Sequence, residues 1–327
     1  MPLERLAVIG AGAWGTALAQ ATAIAGRQVT LVGRDPETVA EIDREHRNTA
    51  FLGPQPLHEA IASSVVVPPA DLVILAVPAQ ASRFALRQFA PALAGLPIVL
   101  AAKGLETGTL MRQSEILEEL VPTAIPFVLS GPSFAADVAA GRPTAVTIAG
   151  DHAEATSEIA AALAGPSFRP YAADDRIGVE LAGALKNVYA LGAGAVAGAG
   201  LGASARSALI ARAFAELTRM VVAMGGGAHT LAGLAGLGDL TLSCTSRQSR
   251  NYRFGIALGQ GAGVEMAAAA GIGLVEGVAT APVAQLLARR FGVDAPLVDA
   301  VNLMLEGTTT IDTIVAGLMT RPLKREG

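Results

Sequence analysis

Short apolar runs alternate with helix-like stretches through the first half of the chain. Leu6–Ile9, Gln28–Val32, Leu72–Val77, Ile98–Ala101, Phe127–Leu129 and Ala145–Ala149 are apolar at nearly every position. Such runs suit strands covered on both faces of a parallel sheet. Helical stretches lie between them, among them Thr16–Ala25, Pro36–His46 and Leu110–Leu120. This βα alternation predicts a doubly wound sheet. Near residue 178 the pattern changes. The segments Val179–Ala197, Ser204–Met224, Asn251–Gly259, Val278–Phe291, Ala295–Leu305 and Ile311–Met319 read as helices separated by Gly-rich loops. The expected architecture is therefore an α/β N-terminal domain, residues 1–177, and an all-α C-terminal domain, residues 178–327. No flexible linker marks the change, so the two are expected to pack firmly around a cleft.

The first apolar run ends in Gly10, and Gly10, Gly12 and Gly15 complete G-x-G-x-x-G before an Ala-rich helix. Gly10 permits a tight turn, Gly12 lets backbone approach a pyrophosphate, and Gly15 lets helix and strand pack closely. The phosphates would sit on free N–H groups at a positive helix end. With 37 glycines in the chain, the motif alone is weak. A Gly-rich turn without a ligand is the competing reading. The strand before, the helix after and the second strand at the right distance favour dinucleotide binding.

Other special residues follow later strands: Arg34 the second, Pro78 the third, Lys103 the fourth and Ser130-Gly131-Pro132-Ser133 the fifth. Ligands of open α/β sheets bind outside these carboxyl ends. The second strand continues into Gly33-Arg34-Asp35. Gly33 leaves room for a 2′-phosphate, and Arg34 can pair with it. NADPH is therefore expected to be preferred and NADH accepted. Two alternatives stay open: Arg34 as a solvated turn residue, and Asp35 as the partner of a ribose 2′-OH.

Composition narrows the partners. The net charge is −4, which gives no reason to expect nucleic acid or an anionic membrane. A site for an anionic substrate must be built locally. Cys244 is the one cysteine, which suits a reducing compartment. A strand beginning by Leu6 leaves no room for a signal peptide, and a cytoplasmic location is expected. Mean hydropathy of +0.48 raises the membrane question. The longest uncharged stretch, Val188–Ala205, is mostly Ala and Gly, with Gly192, Gly194, Gly198, Gly200 and Gly202 breaking it. It reads as a buried helix running into a loop, not a membrane span.

Chemistry-bearing residues cluster in the second half. Lys186-Asn187 lies among Leu181, Ala182, Leu185, Val188, Tyr189 and Leu191. A buried ammonium is costly without partners. Lys186 is either a lysine snorkelling to the helix edge or a general acid/base with a lowered pKa. Asp239 sits within Gly236-Leu237-Gly238-Asp239-Leu240. It is either a helix cap or the partner of a catalytic lysine or substrate hydroxyl. Ser243, Ser249, Arg250 and Asn251 form a solvated loop or a phosphate clamp. The four histidines show no metal-ligand spacing, and no metal site is expected.

These features together resemble the bacterial type of NAD(P)-dependent glycerol-3-phosphate dehydrogenase. The resemblance spans the chain through Gly10-Ala11-Gly12-Ala13-Trp14-Gly15-Thr16-Ala17, Ala102-Lys103-Gly104-Leu105-Glu106, Ser130-Gly131-Pro132-Ser133-Phe134-Ala135, Leu185-Lys186-Asn187-Val188, Gly236-Leu237-Gly238-Asp239-Leu240, Gln248-Ser249-Arg250-Asn251 and Val275-Glu276-Gly277. It implies a Rossmann-like first domain and interconversion of dihydroxyacetone phosphate and sn-glycerol 3-phosphate, which feeds phospholipid synthesis. It implies Lys186 as proton donor and acceptor. Substrate contacts fall to Lys103, Gly131, Ser133, Asn187, Asp239, Ser243, Ser249, Arg250 and Asn251. Cofactor contacts fall to Gly10, Gly12, Ala13, Trp14, Gly15, Arg34, Lys103, Ala135, Arg250, Leu274 and Glu276. Leu274 and Ser243 are departures, since relatives carry another aliphatic residue and often Thr. Lys103 and Arg250 are expected to lower the Lys186 pKa. The partners expected are a small phosphorylated substrate and a second copy of the chain. A keto-acid reductase and a non-catalytic NADPH sensor are the rival functions.

Overall fold

A computed structural model describes residues 3–322. The strands are β1 (Arg5–Ile9), β2 (Gln28–Val32), β3 (Ile61–Ser64), β4 (Leu72–Leu75), β5 (Pro97–Leu100), β6 (Ile125–Ser130), β7 (Thr144–Gly150) and β8 (Phe168–Ala173). They form one sheet in the order β3-β2-β1-β4-β5-β6-β7-β8. Helices α1 (Ala13–Ile24), α2 (Pro36–Glu45), α3 (Thr49–Leu52), α4 (Ser82–Leu93), α5 (Gln113–Leu120), α6 (Ala135–Ala139) and α7 (Ala153–Leu163) connect them. After Ala173 the named elements are helical: α8 (Arg176–Gly198), α9 (Gly202–Ala223), α10 (Ala228–Leu231), α11 (Asp239–Thr245), α12 (Arg250–Gly259), α13 (Val264–Ala269), α14 (Glu276–Arg290), α15 (Pro296–Glu306) and α16 (Ile311–Met319).

The central strands explain the continuous apolar runs. In β1, Leu6 and Val8 face one hydrophobic layer while Ala7 and Ile9 face the other. Leu72 and Ile74 of β4 divide from Val73 and Leu75 in the same way. With a period of two and apolar groups on both faces, no polar position interrupts the pattern.

Two strands lie outside the sequence reading. Both are edges. β3 reads Ile-Ala-Ser-Ser and β8 reads Phe-Arg-Pro-Tyr-Ala-Ala, with Arg169 and Tyr171 exposed. An edge strand covered on one side needs no continuous apolar run. The sheet is also not parallel throughout. β7 pairs antiparallel with β6, and β8 runs parallel to β7. Between β6 and β7 stands only the short α6, too little for the crossover that a parallel neighbour requires.

Val188–Ala205 is a buried helix running into a loop, as expected, and the loop is short. α8 continues to Gly198, and α9 begins at Gly202. Among the described residues, no helix is long and apolar enough to cross a membrane. Its glycines have a packing reason instead. A Cβ on Gly194 or Gly198 would collide with the carbonyl oxygen of Tyr252 or Ile256 in α12. A Cβ on Gly255 or Gly259 would collide with Leu191 or Ala195 in α8. Four glycines therefore let the two backbones approach to contact distance. This approach holds the start of α12, Arg250-Asn251, beside Lys186-Asn187.

Gly255→Ala should lower stability by about 2–3 kcal/mol, because rigid backbone and not a movable side chain meets the added methyl. Urea denaturation of the purified variant measures it, and an unchanged midpoint would contradict the close crossing.

Candidate active site

The glycine loop is shaped by sterics. Gly10 has φ of +113°, and a Cβ there would lie 2.8 Å from the Ala76 carbonyl oxygen. A Cβ on Gly15 would strike the Gly10 carbonyl oxygen. A Cβ on Gly12 would meet nothing within 4 Å among the described residues. Gly12 is the N-cap of α1 and offers no side chain to the first helical amides. Those amides have no partner within the helix. Beside them Trp14 buries its indole Nε1 with no acceptor. Open space over a glycine, free amides and an unpaired buried donor fit the pyrophosphate of a dinucleotide.

Lys103 lies on the loop after β5. Its Nζ donates to the Gly131 carbonyl at 2.9 Å and to Asp239 Oδ2 at 2.8 Å. It also stands 5.9 Å from the centre of the Trp14 ring. Gly131 has φ of +138°, and a Cβ there would lie 2.9 Å from Val146 Cα. The same Gly131 carbonyl accepts from Ser133 Oγ at 3.0 Å.

Lys186 does not snorkel. It is 6% exposed, and its Nζ donates to Asp239 Oδ1 and, at 2.7 Å, to Ser243 Oγ. Asp239 is no cap either. It is the first residue of α11, is 1% exposed, and gives one carboxylate oxygen to each lysine. Burial alone would raise its carboxyl. The two ammonium groups outweigh that effect and hold it below the usual carboxylate range.

Burial lowers Lys186 to about 8, with Lys103 contributing and Asp239 opposing. Arg250 is not among the causes. This corrects the expectation that two cations share the effect. Cys244, next to Ser243, is a buried thiol pushed up to about 12, chiefly by burial. At that value it holds its proton and is no nucleophile.

Asparagines join this cluster to the remaining elements. Asn187 Nδ2 donates to the Lys103 carbonyl at 2.9 Å, and Asn251 Nδ2 donates to Asn187 Oδ1 at 2.9 Å. Asn251 Oδ1 then accepts the Gly277 amide at 2.9 Å. Ser249 caps α12 by accepting the Tyr252 amide at 3.3 Å. Glu276 reaches across to accept the Ala79 amide at 3.1 Å. Burial raises its carboxyl, against the pull of that amide and of Arg250. Ala135 opens α6, which packs on α1.

Three residues stand apart. Arg250 is exposed at the start of α12, and among the described residues its side chain makes no hydrogen bond, though it lies within electrostatic range of Glu276. Arg34 is exposed beyond β2. Leu274 is 49% exposed ahead of α14. Asp35 is occupied elsewhere: it caps α2, accepting from the Glu37 and Thr38 amides and from Thr38 Oγ1 at 2.6 Å.

A residue of the lysine-bearing helix escaped the sequence reading. Glu180 of α8 accepts the Ser114 amide at 2.9 Å and Ser114 Oγ at 2.6 Å, so the lysine-bearing helix grips the start of α5. Burial raises its carboxyl against these bonds and Arg112. The signal was visible, since Glu180 and Lys186 are the two charged residues between Val179 and Ala205.

Comparisons with known proteins show the family. Models for the N-terminus and the C-terminus of NAD-dependent glycerol-3-phosphate dehydrogenase match residues 5–156 and 175–316. The chain belongs to this family. A glycerol-3-phosphate dehydrogenase [NAD(P)+] of Caulobacter vibrioides is 49% identical, covering 100% of both chains. That of Brucella ovis is 48% identical over 98% of this chain and 99% of its own. The crystal structure of glycerol-3-phosphate dehydrogenase from Coxiella burnetii superposes with a TM-score of 0.91 at 35% identity, covering 97% of this chain and 99% of that one.

Asp239→Asn should leave the buried Lys186 ammonium and the partly buried Lys103 ammonium without a counter-charge. Stability should fall by about 3–5 kcal/mol, the scale for breaking a buried pair from one side. Denaturant titration reads this directly, and a variant as stable as the parent would mean that the carboxylate does not join the two lysines.

Proposed function

We propose that the chain interconverts dihydroxyacetone phosphate and sn-glycerol 3-phosphate with NAD(P)H or NAD(P)+, and that Lys186 is its general acid/base. The observation that carries this reading is the single buried carboxylate shared by Lys103 and Lys186. When bound, the nicotinamide supplies or receives the hydride at the carbon. Gly10, Gly12, Ala13, Trp14, Gly15, Ala135, Leu274 and Glu276 are the residues assigned to holding it, with residues 1–177 as the cofactor part and 178–327 as the substrate part.

The protein's own work is to hold charge and move a proton. An ammonium has three donors. Lys186 gives one to Asp239 and one to Ser243, leaving a third for the substrate oxygen. Lys103 gives one to Gly131 and one to Asp239, and also keeps a third. Negative charge growing on the carbonyl oxygen during reduction is stabilised there more than the neutral ketone is. Lys186 then passes its proton to that oxygen, and takes it back in the reverse direction. Asp239 and Ser243 keep the ammonium aimed. Arg250, whose side chain has no hydrogen bond among the described residues, is available to the substrate phosphate, as are Ser133, Asn187, Ser249 and Asn251. A phosphate held at a distance from the reacting carbon orients that carbon.

NADPH is the preferred cofactor in this proposal. Asp35 is engaged in its cap while Arg34 is exposed and beside the buried Gly33. A homodimer and a cytoplasmic location complete it. Exposed Val222, Leu286, Leu303 and Met319 on the helical part support a further interface. The deciding assay follows NAD(P)H oxidation with dihydroxyacetone phosphate against a panel of keto acids. Turnover of an acid without turnover of the phosphate would replace this reading.

Lys186→Met should bind cofactor like the parent and turn over at least about 100-fold more slowly. Retention of a tenth of the activity would remove Lys186 from the role. In the parent enzyme the pH profile carries a sign. Ketone reduction needs the ammonium, so its kcat/KM should fall as pH rises through about 8. Alcohol oxidation needs the neutral amine and should rise over the same interval. Arg34→Ala should weaken NADPH by about fivefold to 150-fold, the range for one charge-assisted hydrogen bond, and NADH by less. Equal small effects on both would make Arg34 a solvated turn residue.

A further inference from the structure

The buried polar residues of α1 point to a second component of the cofactor site. Thr16 and Gln20 are 0% and 7% exposed in an otherwise Ala-rich helix. They lie one turn apart and therefore on one face. Gln20 Oε1 accepts the His58 amide at 2.7 Å. Thr16 Oγ1 accepts from Asn48 Nδ2 at 2.8 Å. The segment from Asn48 to His58 is thus fastened to α1 at two successive turns.

Asn48 does more than fasten. It is 0% exposed, and its second Nδ2 hydrogen goes to the Ala11 carbonyl at 2.9 Å. Ala11 is the residue between the first two glycines of the phosphate loop. Asn48 Oδ1 is left buried with no partner. An unpaired buried acceptor is unfavourable. The fold tolerates it where the amide's donor end is required at two acceptors at once.

A trans peptide sends its C=O and N–H in opposite directions. The Ala11–Gly12 peptide is trans, and its oxygen is held on the inner side by Asn48. The Gly12 N–H therefore faces away from Asn48. No acceptor in the protein takes it among the described residues, and the space over Gly12 is open. The flanking glycines make this peptide easy to rotate.

We propose that Asn48 is a positioning residue for the dinucleotide: by pinning the Ala11 carbonyl inward it keeps the Gly12 N–H turned outward to the pyrophosphate. The inference rests on reading the glycine loop as a dinucleotide site and adds to it a residue thirty-odd positions downstream. It also joins the two ends of the ligand. One continuous stretch carries Arg34 beside the adenosine end and Asn48 behind the phosphates.

The test is NADPH titration by fluorescence on the parent, Asn48→Ala and Asn48→Leu. The leucine keeps the branched shape, adds no charge and cannot donate. Both variants should raise the NADPH Kd about tenfold, the scale of one lost hydrogen bond. The KM for dihydroxyacetone phosphate at saturating NADPH and the pH profile of turnover should stay within about twofold. A purely structural asparagine would lower Tm and leave the cofactor Kd unmoved. A folded variant binding NADPH within twofold of the parent would overturn the proposal. If neither variant folds, Thr16→Val decides, since it removes one of the two acceptors that orient the amide. A threefold weaker NADPH supports the role, and unchanged affinity ends it. Failure of the parent itself to bind either nicotinamide cofactor would sink the dinucleotide reading, and this inference with it.

Discussion

The structure turns on a buried carboxylate placed between two ammonium groups. Asp239 binds Lys103 from the sheet side and Lys186 from the helical side. Desolvating any one of these charges alone would be prohibitive. Held together they satisfy one another, and one buried acid fixes both lysines. The cluster is net positive, which suits an anionic ligand in a chain whose overall charge is −4. The same arrangement leaves Lys186 able to lose its proton near neutral pH while Lys103 stays engaged with Gly131.

α8 is the element that makes this possible. Glu180 near its start grips Ser114 of α5. Lys186 and Asn187 face the Lys103 loop. Further along, Gly194 and Gly198 admit the backbone of α12. One helix thus carries a clasp to α5, the Lys186-Asn187 pair and the seat for Ser249-Arg250-Asn251. Its rigidity follows from burial along nearly its whole length. A helix so buried holds distances that a loop would not, and proton transfer is sensitive to them.

The cofactor edge follows a different logic. There the backbone is exposed, and the nearby side chains shape it. Gly10 and Gly15 are fixed by contacts that exclude a Cβ, and a Cβ on Gly12 would meet open space. Polar side chains from elsewhere in the chain brace that backbone: Asn48 on the phosphate loop, Glu276 on the amide of Ala79. Preorganised amides bind an anion without first rearranging.

The central strands, most helices and the residue types of the site were legible in the sequence, because each leaves a local mark. Continuous apolar runs mark doubly covered strands, and a lysine or glycine loop in the wrong surroundings marks function. β3 and β8 were not legible, because an edge strand buries one face and carries no such run. The reversal at β6 and β7 was hidden too, since strand direction depends on how a connection travels and not on its composition. The glycines of Val188–Ala205 were visible, but their reason lies in α12, some sixty residues away. Asn48, Glu180 and the double duty of Asp239 are decided by contacts between distant segments. Local pattern determined which residues could carry chemistry. Only the tertiary structure decided which of them are hydrogen-bonded to one another, because desolvation and hydrogen bonding act through space and not along the chain.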